Sequence, residues 1–174
     1  MDKPTETTWK YRGRAWVFGD HINTDLILPS EAMYGKVPED EVKRYVFRAI
    51  RPEFAERVRP GDLVVAGVNF GCGSSRPAAR VLKELGIACV LAESFSRIFF
   101  RNAINLGYPV LVCPGITRAV RDGDELEVEP LEGRVRDLTT GEELQAEPLP
   151  PFVRQLVEAG GLLELLRRGE RLRA

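Results

Sequence analysis

The residues best equipped for chemistry stand together in one stretch, Gly67-Val68-Asn69-Phe70-Gly71-Cys72-Gly73-Ser74-Ser75-Arg76. Glycines let a backbone turn sharply and approach a ligand closely. Arg76 can hold a carboxylate through two parallel hydrogen bonds. A serine is too weakly acidic to act as a base unless N–H donors and a nearby cation stabilise its alkoxide. Ser74 has that company. The flanks say how the stretch is held. Asp62-Leu63-Val64-Val65-Ala66 reads as a buried strand. Ala78, Ala79, Val81, Leu82 and Leu85 recur at helical spacing up to Gly86. The unit is therefore strand, glycine loop and helix N-terminus, whose unpaired N–H groups favour an anion. It reads as a carboxylate or phosphate site with a serine placed to react. The alternative is an ordinary helix cap with a surface arginine.

Composition narrows the function. A chain of 174 residues with 44% hydrophobic and 29% charged side chains can build one ordinary core. A net charge of −1 gives no case for nucleic acid or an anionic membrane surface. There is no apolar run of membrane-spanning length and no apolar centre near the start, so a cytoplasmic location is expected. The three cysteines, Cys72, Cys89 and Cys113, form no CxxC pair, and His21 is the single histidine. Cys89 and Cys113 lie in apolar runs and read as buried thiols. Cys72 reads as a small filler of a tight loop. No metal site is expected on this chain.

The remaining elements follow from periodicity. Residues 9–18 read as a first strand. Residues 19–25 form a polar turn that satisfies its own backbone, with His21 ordering it. Residues 26–29 are short and apolar, ending any ladder at Pro29. Residues 30–36 read as a loop. Residues 38–50 are expected to be helical, with proline and acids in the first turn, burying Val42, Tyr45, Val46 and Ala49. Residues 51–60 read as an irregular connector. Residues 87–92 and 108–113 are buried strands around a helix over 94–105 that Ser94 caps. Arg97 and Arg101 on that helix read as salt-bridge or interface residues, and Phe95 and Phe99 as core. Strands separated by helices give a βαβαβ unit with parallel neighbours. From Arg118 onward the texture alternates, giving antiparallel hairpins with one wet face. Two short helices around Gly160-Gly161 end the chain.

Three stretches, in order, carry a resemblance: Gly19-Asp20-His21-Ile22-Asn23-Thr24-Asp25-Leu26-Ile27-Leu28-Pro29, then Asn69 to Arg76 of the glycine loop, then Ser94-Phe95-Ser96-Arg97-Ile98-Phe99-Phe100-Arg101-Asn102 with Asn105-Leu106-Gly107. Over about residues 10–165 the chain resembles the small subunits of the aconitase-type hydro-lyases, most of all those of 3-isopropylmalate dehydratase. The resemblance implies an α/β chain folded as a swivelling β/β/α domain. That fold has a mainly parallel βαβ core, C-terminal antiparallel hairpins and short terminal helices. It would occupy residues 9–174 as a single domain, with 1–8 a flexible N-terminus. The resemblance also implies a large-subunit partner carrying a [4Fe–4S] cluster, in a heterodimer or heterotetramer, with no cofactor on this chain. The implied reaction isomerises a 2-hydroxy dicarboxylic acid by dehydration and rehydration. One iron acts as Lewis acid on the hydroxyl, while a base removes a proton alpha to a carboxylate.

Residue by residue, Ser74 matches the family's base. Ser75 and Arg76 match residues that hold substrate carboxylates, Thr24 and Asp25 line the site from the earlier loop, and Asn69 orders the glycine loop. Met33, Tyr34 and Gly35 fall in the segment that reads the substrate's variable group. There are two departures from the family pattern. Pro77 stands where a glutamate is common, and it deletes one backbone N–H close to the serine. The specificity segment reads Ser30-Glu31-Ala32-Met33-Tyr34-Gly35, with no arginine for an extra carboxylate. Met33 and Tyr34 favour an apolar substituent, so 2-isopropylmalate, in leucine biosynthesis, is the leading substrate. Homoaconitase and a methylated-malate dehydratase are the enzymatic alternatives. The non-catalytic ones are a free-standing anion-binding module, against which the missing phosphate-loop lysine counts, and a regulatory subunit.

Overall fold

Leu63-Val64-Val65-Ala66 and Cys89-Val90-Leu91-Ala92 are apolar at every position, which commits both segments to burial on two faces. They form β2 (Leu63–Ala66) and β3 (Cys89–Ala92), and every residue in them is buried. The computed structural model describes residues 9–33, 35–73 and 76–173. Across it runs a seven-stranded sheet in the order β4-β3-β2-β1-β5-β6-β7, where β1 is Tyr11–Val17, β4 Val110–Val112, β5 Glu125–Glu129, β6 Arg134–Asp137 and β7 Glu143–Gln145. Strands β1 to β4 are mutually parallel and β5 to β7 add antiparallel. The parallel core and the C-terminal hairpins are those expected from the sequence.

Because alternate side chains of the parallel strands point to opposite faces, the sheet carries two cores. One gathers Trp16, Val64, Val90 and Val110 under three helices: α2 (Phe54–Arg57), α3 (Ala78–Glu84) and α4 (Arg97–Asn105). The other gathers Leu63, Val65, Leu91 and Leu111 under α5 (Ile116–Ala119) and α6 (Pro151–Ala159). Leu126, Val128 and Val135 of the antiparallel strands belong to this second core as well, so the sheet curls back over its own face. A last helix, α7 (Leu162–Arg167), follows α6 across Gly160 and Gly161 and packs Leu165 on Leu156.

Several local expectations gave way to tertiary contacts. The apolar run after Asp25 is not extended: α1 (Thr24–Ile27) is a single helical turn capped by Asn23, whose side chain accepts from the Leu26 N–H. Within the expected loop, Ser30–Ala32 makes a turn of 3-10 helix. The helix expected over 38–50 is a 3-10 stretch, Glu39–Tyr45, that stops at Val46. Phe47 then takes a left-handed conformation, φ 56°. Its ring stacks on Phe18 at 4.2 Å and meets Phe54 edge-on at 4.9 Å. Continuing the helix would swing that ring out of the core, so aromatic packing outweighs helix propagation. Val46 is buried as expected, but Ala49 is exposed. The connector after it contains α2. Ser96, not Ser94, caps α4, accepting from the Phe99 N–H at 3.3 Å.

Candidate active site

Three loops leave the C-terminal ends of β1, β2 and β3, and backbone hydrogen bonds clasp them together. Gly67 N–H donates to the Gly19 carbonyl (3.0 Å), His21 N–H to Val68 (2.8 Å), Gly71 N–H to Ile22 (2.8 Å) and Thr24 N–H to Cys72 (2.9 Å). Asp20 Oδ1 accepts from the Val68 N–H at 2.9 Å. A Cβ at Gly67 would collide with that carboxylate, which explains the glycine. On the other flank, Asn69 N–H donates to Ser94 Oγ (2.8 Å) and Ser96 Oγ donates to the Gly71 carbonyl (2.8 Å). Gly71 sits at φ 78°, and a side chain there would run into the ring of Phe99. The glycine loop is thus pinned on both sides before it reaches Ser74.

This clasp brings two of the sequence motifs face to face. Arg76 Nε lies 2.7 Å from Asp25 Oδ1, and its Nη1 donates to the Leu28 carbonyl at 2.8 Å. Its side chain is 16% exposed and that of Asp25 60%. Thr24, next to Asp25 in the chain, is buried. Asn69 adopts φ 59°, with its amide nitrogen 3.5 Å from His21 Nδ1. It shapes the loop, and His21, at φ 52°, shapes the facing turn. Ser74, Ser75 and Tyr34 lie outside the described residues, as does the stretch 1–8.

The start of α3 is a tight turn. Pro77 is its N-cap, at φ −73° and ψ 42°, and the Ala78 N–H turns back to the Arg76 carbonyl at 2.7 Å. This is an inverse γ-type turn. The first helical residue is Ala78, and Arg76 stands just ahead of the helix.

Comparison with known proteins fits this arrangement. The Aconitase C-terminal domain family model matches residues 28–113. The 3-isopropylmalate dehydratase small subunit 1 of Methanopyrus kandleri is 57% identical over 158 residues, covering 90% of this chain and 92% of that one. The chain belongs to the 3-isopropylmalate dehydratase small-subunit family. It is a hydro-lyase subunit, and small subunits of this kind act in a complex with a large one. The isopropylmalate/citramalate isomerase small subunit of Methanocaldococcus jannaschii is 49% identical, over 90% of this chain and 94% of its own. A crystal structure of 3-isopropylmalate dehydratase from the same organism superposes with TM-score 0.84 at 34% identity, covering 92% of this chain and 95% of that one.

Beside Arg76 the family member carries an apolar cleft of about 340 Å³. Met33 and Gly35 line it, together with Val37, Val42, Pro77 and Val81. At its rim Arg80 links Glu84 (2.8 Å) and Glu39 (3.2 Å). Leu28 both lines the cleft and offers its carbonyl to Arg76. Nothing in the sequence marked Leu28, Val42 or Val81 as site residues. Residues 28 and 42 lie on separate turns and 81 on α3, so only the fold joins them. Nor did it show that Asp20, Ser94 and Ser96 would brace the glycine loop, since hydroxyls and carboxylates in turns usually bond locally.

The thiols do not fit an iron–sulfur cluster, which needs converging cysteine ligands. Cys89 and Cys113 are buried in the second core. Burial pushes the Cys89 thiol well up, and burial, helped by Glu93, pushes Cys113 up to about 12. Cys72 stands apart in the glycine loop, with its carbonyl on Thr24. Among the described residues no group of three or more His, Cys, Asp or Glu could hold a metal ion, and no helix is long and apolar enough to cross a membrane.

Proposed function

We propose that this chain supplies half of an active site that isomerises a 2-hydroxy dicarboxylate by dehydration and rehydration, with 2-isopropylmalate the leading substrate. The observation that carries the reading is the meeting of Arg76 with Asp25 at the mouth of the braced glycine loop, in a member of this family. The [4Fe–4S] cluster belongs to a large-subunit partner, where it supplies the Lewis acid for the substrate hydroxyl.

On this chain the work is binding and proton transfer. A guanidinium presents its N–H donors in a rigid fork that matches a carboxylate, so Arg76 is suited to orient one. Ser75 adds a hydroxyl to the same carboxylate. Ser74 takes the proton from the carbon alpha to that carboxylate as the neighbouring hydroxyl departs, leaving a double bond. The proton then returns to one carbon while water adds to the other, so atoms and charge balance over the cycle. A peptide N–H of the loop beyond Gly71, whose preceding N–H groups are already donated, and the Arg76 charge stabilise the Ser74 alkoxide. Pro77 can supply no such N–H. The apolar cleft beside Arg76 suits the substrate's alkyl group, and its valines and methionine disfavour a third carboxylate. The printed name of the Methanocaldococcus relative favours a second reading, in which a methylated malate is also turned over.

The test is reconstitution. The chain mixed anaerobically with its cognate large subunit should convert 2-isopropylmalate to an unsaturated acid that absorbs in the ultraviolet. Ser74→Ala should lower turnover by about 100-fold or more while the complex stays intact on gel filtration. Full activity in that variant would remove Ser74 as the base. A higher kcat/KM for citramalate than for 2-isopropylmalate would favour the second reading.

A further inference from the structure

We infer that Asp25 is a positioning residue that aims the Arg76 guanidinium, and is not itself a ligand of the substrate. The inference rests on the proposed carboxylate role of Arg76. Among the described contacts, Asp25 Oδ1 lies 2.7 Å from the Nε of that guanidinium and the Leu28 carbonyl 2.8 Å from its Nη1. Both come from the single turn α1 and its C-terminal cap. Two contacts on different nitrogens fix the plane of a rigid fork, not just its position.

The platform beneath is itself fixed. Asn23 caps the turn, Thr24 N–H is tied to the Cys72 carbonyl, Leu28 N–H to the Thr24 carbonyl at 2.9 Å, and Ile27 and Leu28 are buried. The aim of Arg76 is thereby referred to the glycine loop that also carries Ser74. Exposure divides the roles within the pair. The Asp25 carboxylate is 60% exposed and has little need of a partner for its own sake. Arg76, at 16%, is the desolvated member and the one that gains from a fixed counter-charge. Charge points the same way. A dicarboxylate placed directly against Asp25 would meet a like charge, whereas with Arg76 between them Asp25 orders the cation that the substrate needs.

The test uses the anaerobically reconstituted complex, with gel filtration to confirm assembly of each variant. Asp25→Ala is expected to raise KM by about 10-fold with a smaller fall in kcat. Asp25→Asn keeps an oxygen acceptor for Nε and should recover most of that loss, and it serves as the folded control should the alanine variant not assemble. In an Arg76→Lys background, which removes the fork, Asp25→Ala should add less than about 2-fold, because the two residues act as one unit. Full additivity of the two losses, or a KM unchanged by Asp25→Ala where Arg76→Lys raises it, would overturn the inference alone. A KM unchanged by Arg76→Lys would instead strike the carboxylate role of Arg76, and the inference with it.

Discussion

Strand β1 joins two kinds of sheet within seven residues. Its first part, Tyr11 to Arg14, pairs antiparallel with β5, and its exposed arginines alternate with covered residues. Its last part, Ala15 to Val17, pairs parallel with β2, and there Ala15 and Trp16 are both buried. The two halves of the molecule follow suit. In the antiparallel half, turns are closed by their neighbours: Asp137 Oδ1 accepts from the Thr139 and Thr140 N–H groups, and Gly141 N–H donates to the Asp137 carbonyl. Cross-strand pairs such as Arg136–Glu143 decorate the wet face. In the parallel half, the loops at the strand C-termini are closed by one another across long sequence separations. Parallel strands all present their C-terminal ends on one edge, so distant loops meet there, and that edge is where open α/β sheets place ligands. An antiparallel meander spreads its turns over both edges and gathers nothing. Arg51 fastens the halves together. It stacks on Trp16 at 5.0 Å, pairs with Glu53 and grips both oxygens of Asp122, whose Oδ1 also accepts from the Val17 N–H.

Mutations that separate the halves sharpen this contrast. The largest effect is expected at Gly71, where a methyl would press on Phe99 in a left-handed backbone. Gly71→Ala should cost about 2–4 kcal/mol in urea unfolding and also depress activity in whatever complex forms. Retained activity at full stability would mean that the glycine loop is not held as described. Val135→Ala, in the antiparallel half, removes two buried methyl groups from the second core. It should cost about 2 kcal/mol and leave kcat and KM of the folded complex unchanged. A change in KM there would break the division of labour.

Acid should probe the parallel half through Glu93. Burial pushes its carboxyl up, but bonds from the Gly115 N–H and from the Thr117 hydroxyl and N–H outweigh that and hold it below the usual carboxylate range. A carboxyl depressed in the folded state stabilises at pH above its unfolded value, about 4.3, and loses that contribution as pH falls through the folded value. The Tm difference between the wild type and Glu93→Gln should therefore shrink between pH 6 and pH 3. The smallest effect is expected at Arg136→Ala, less than about 1 kcal/mol by urea titration, since the pair is exposed and screened.

The parallel strands were legible because burial on both faces leaves uninterrupted apolar runs, and the hairpins because one wet face leaves alternation. The glycine–serine–arginine motif and the Thr24-Asp25 turn were legible as candidates through residue type and spacing. Local signals failed where a distant side chain set the outcome. Phe47 ended a helix to stack on Phe18, and Ser94 left its own helix to hold Asn69.

By itself, the sequence determined the strand types, the glycine loop and the chemical character of the site residues, because these depend on periodicity and on the groups each residue carries. Only the tertiary structure decided that Asp25 and Leu28 would hold Arg76 and that Met33, Val42 and Val81 would share one cleft. Apart from Met33 and Val42, those contacts join residues dozens of positions apart. They are set by which loops the parallel strands bring to one edge, and no local pattern encodes that.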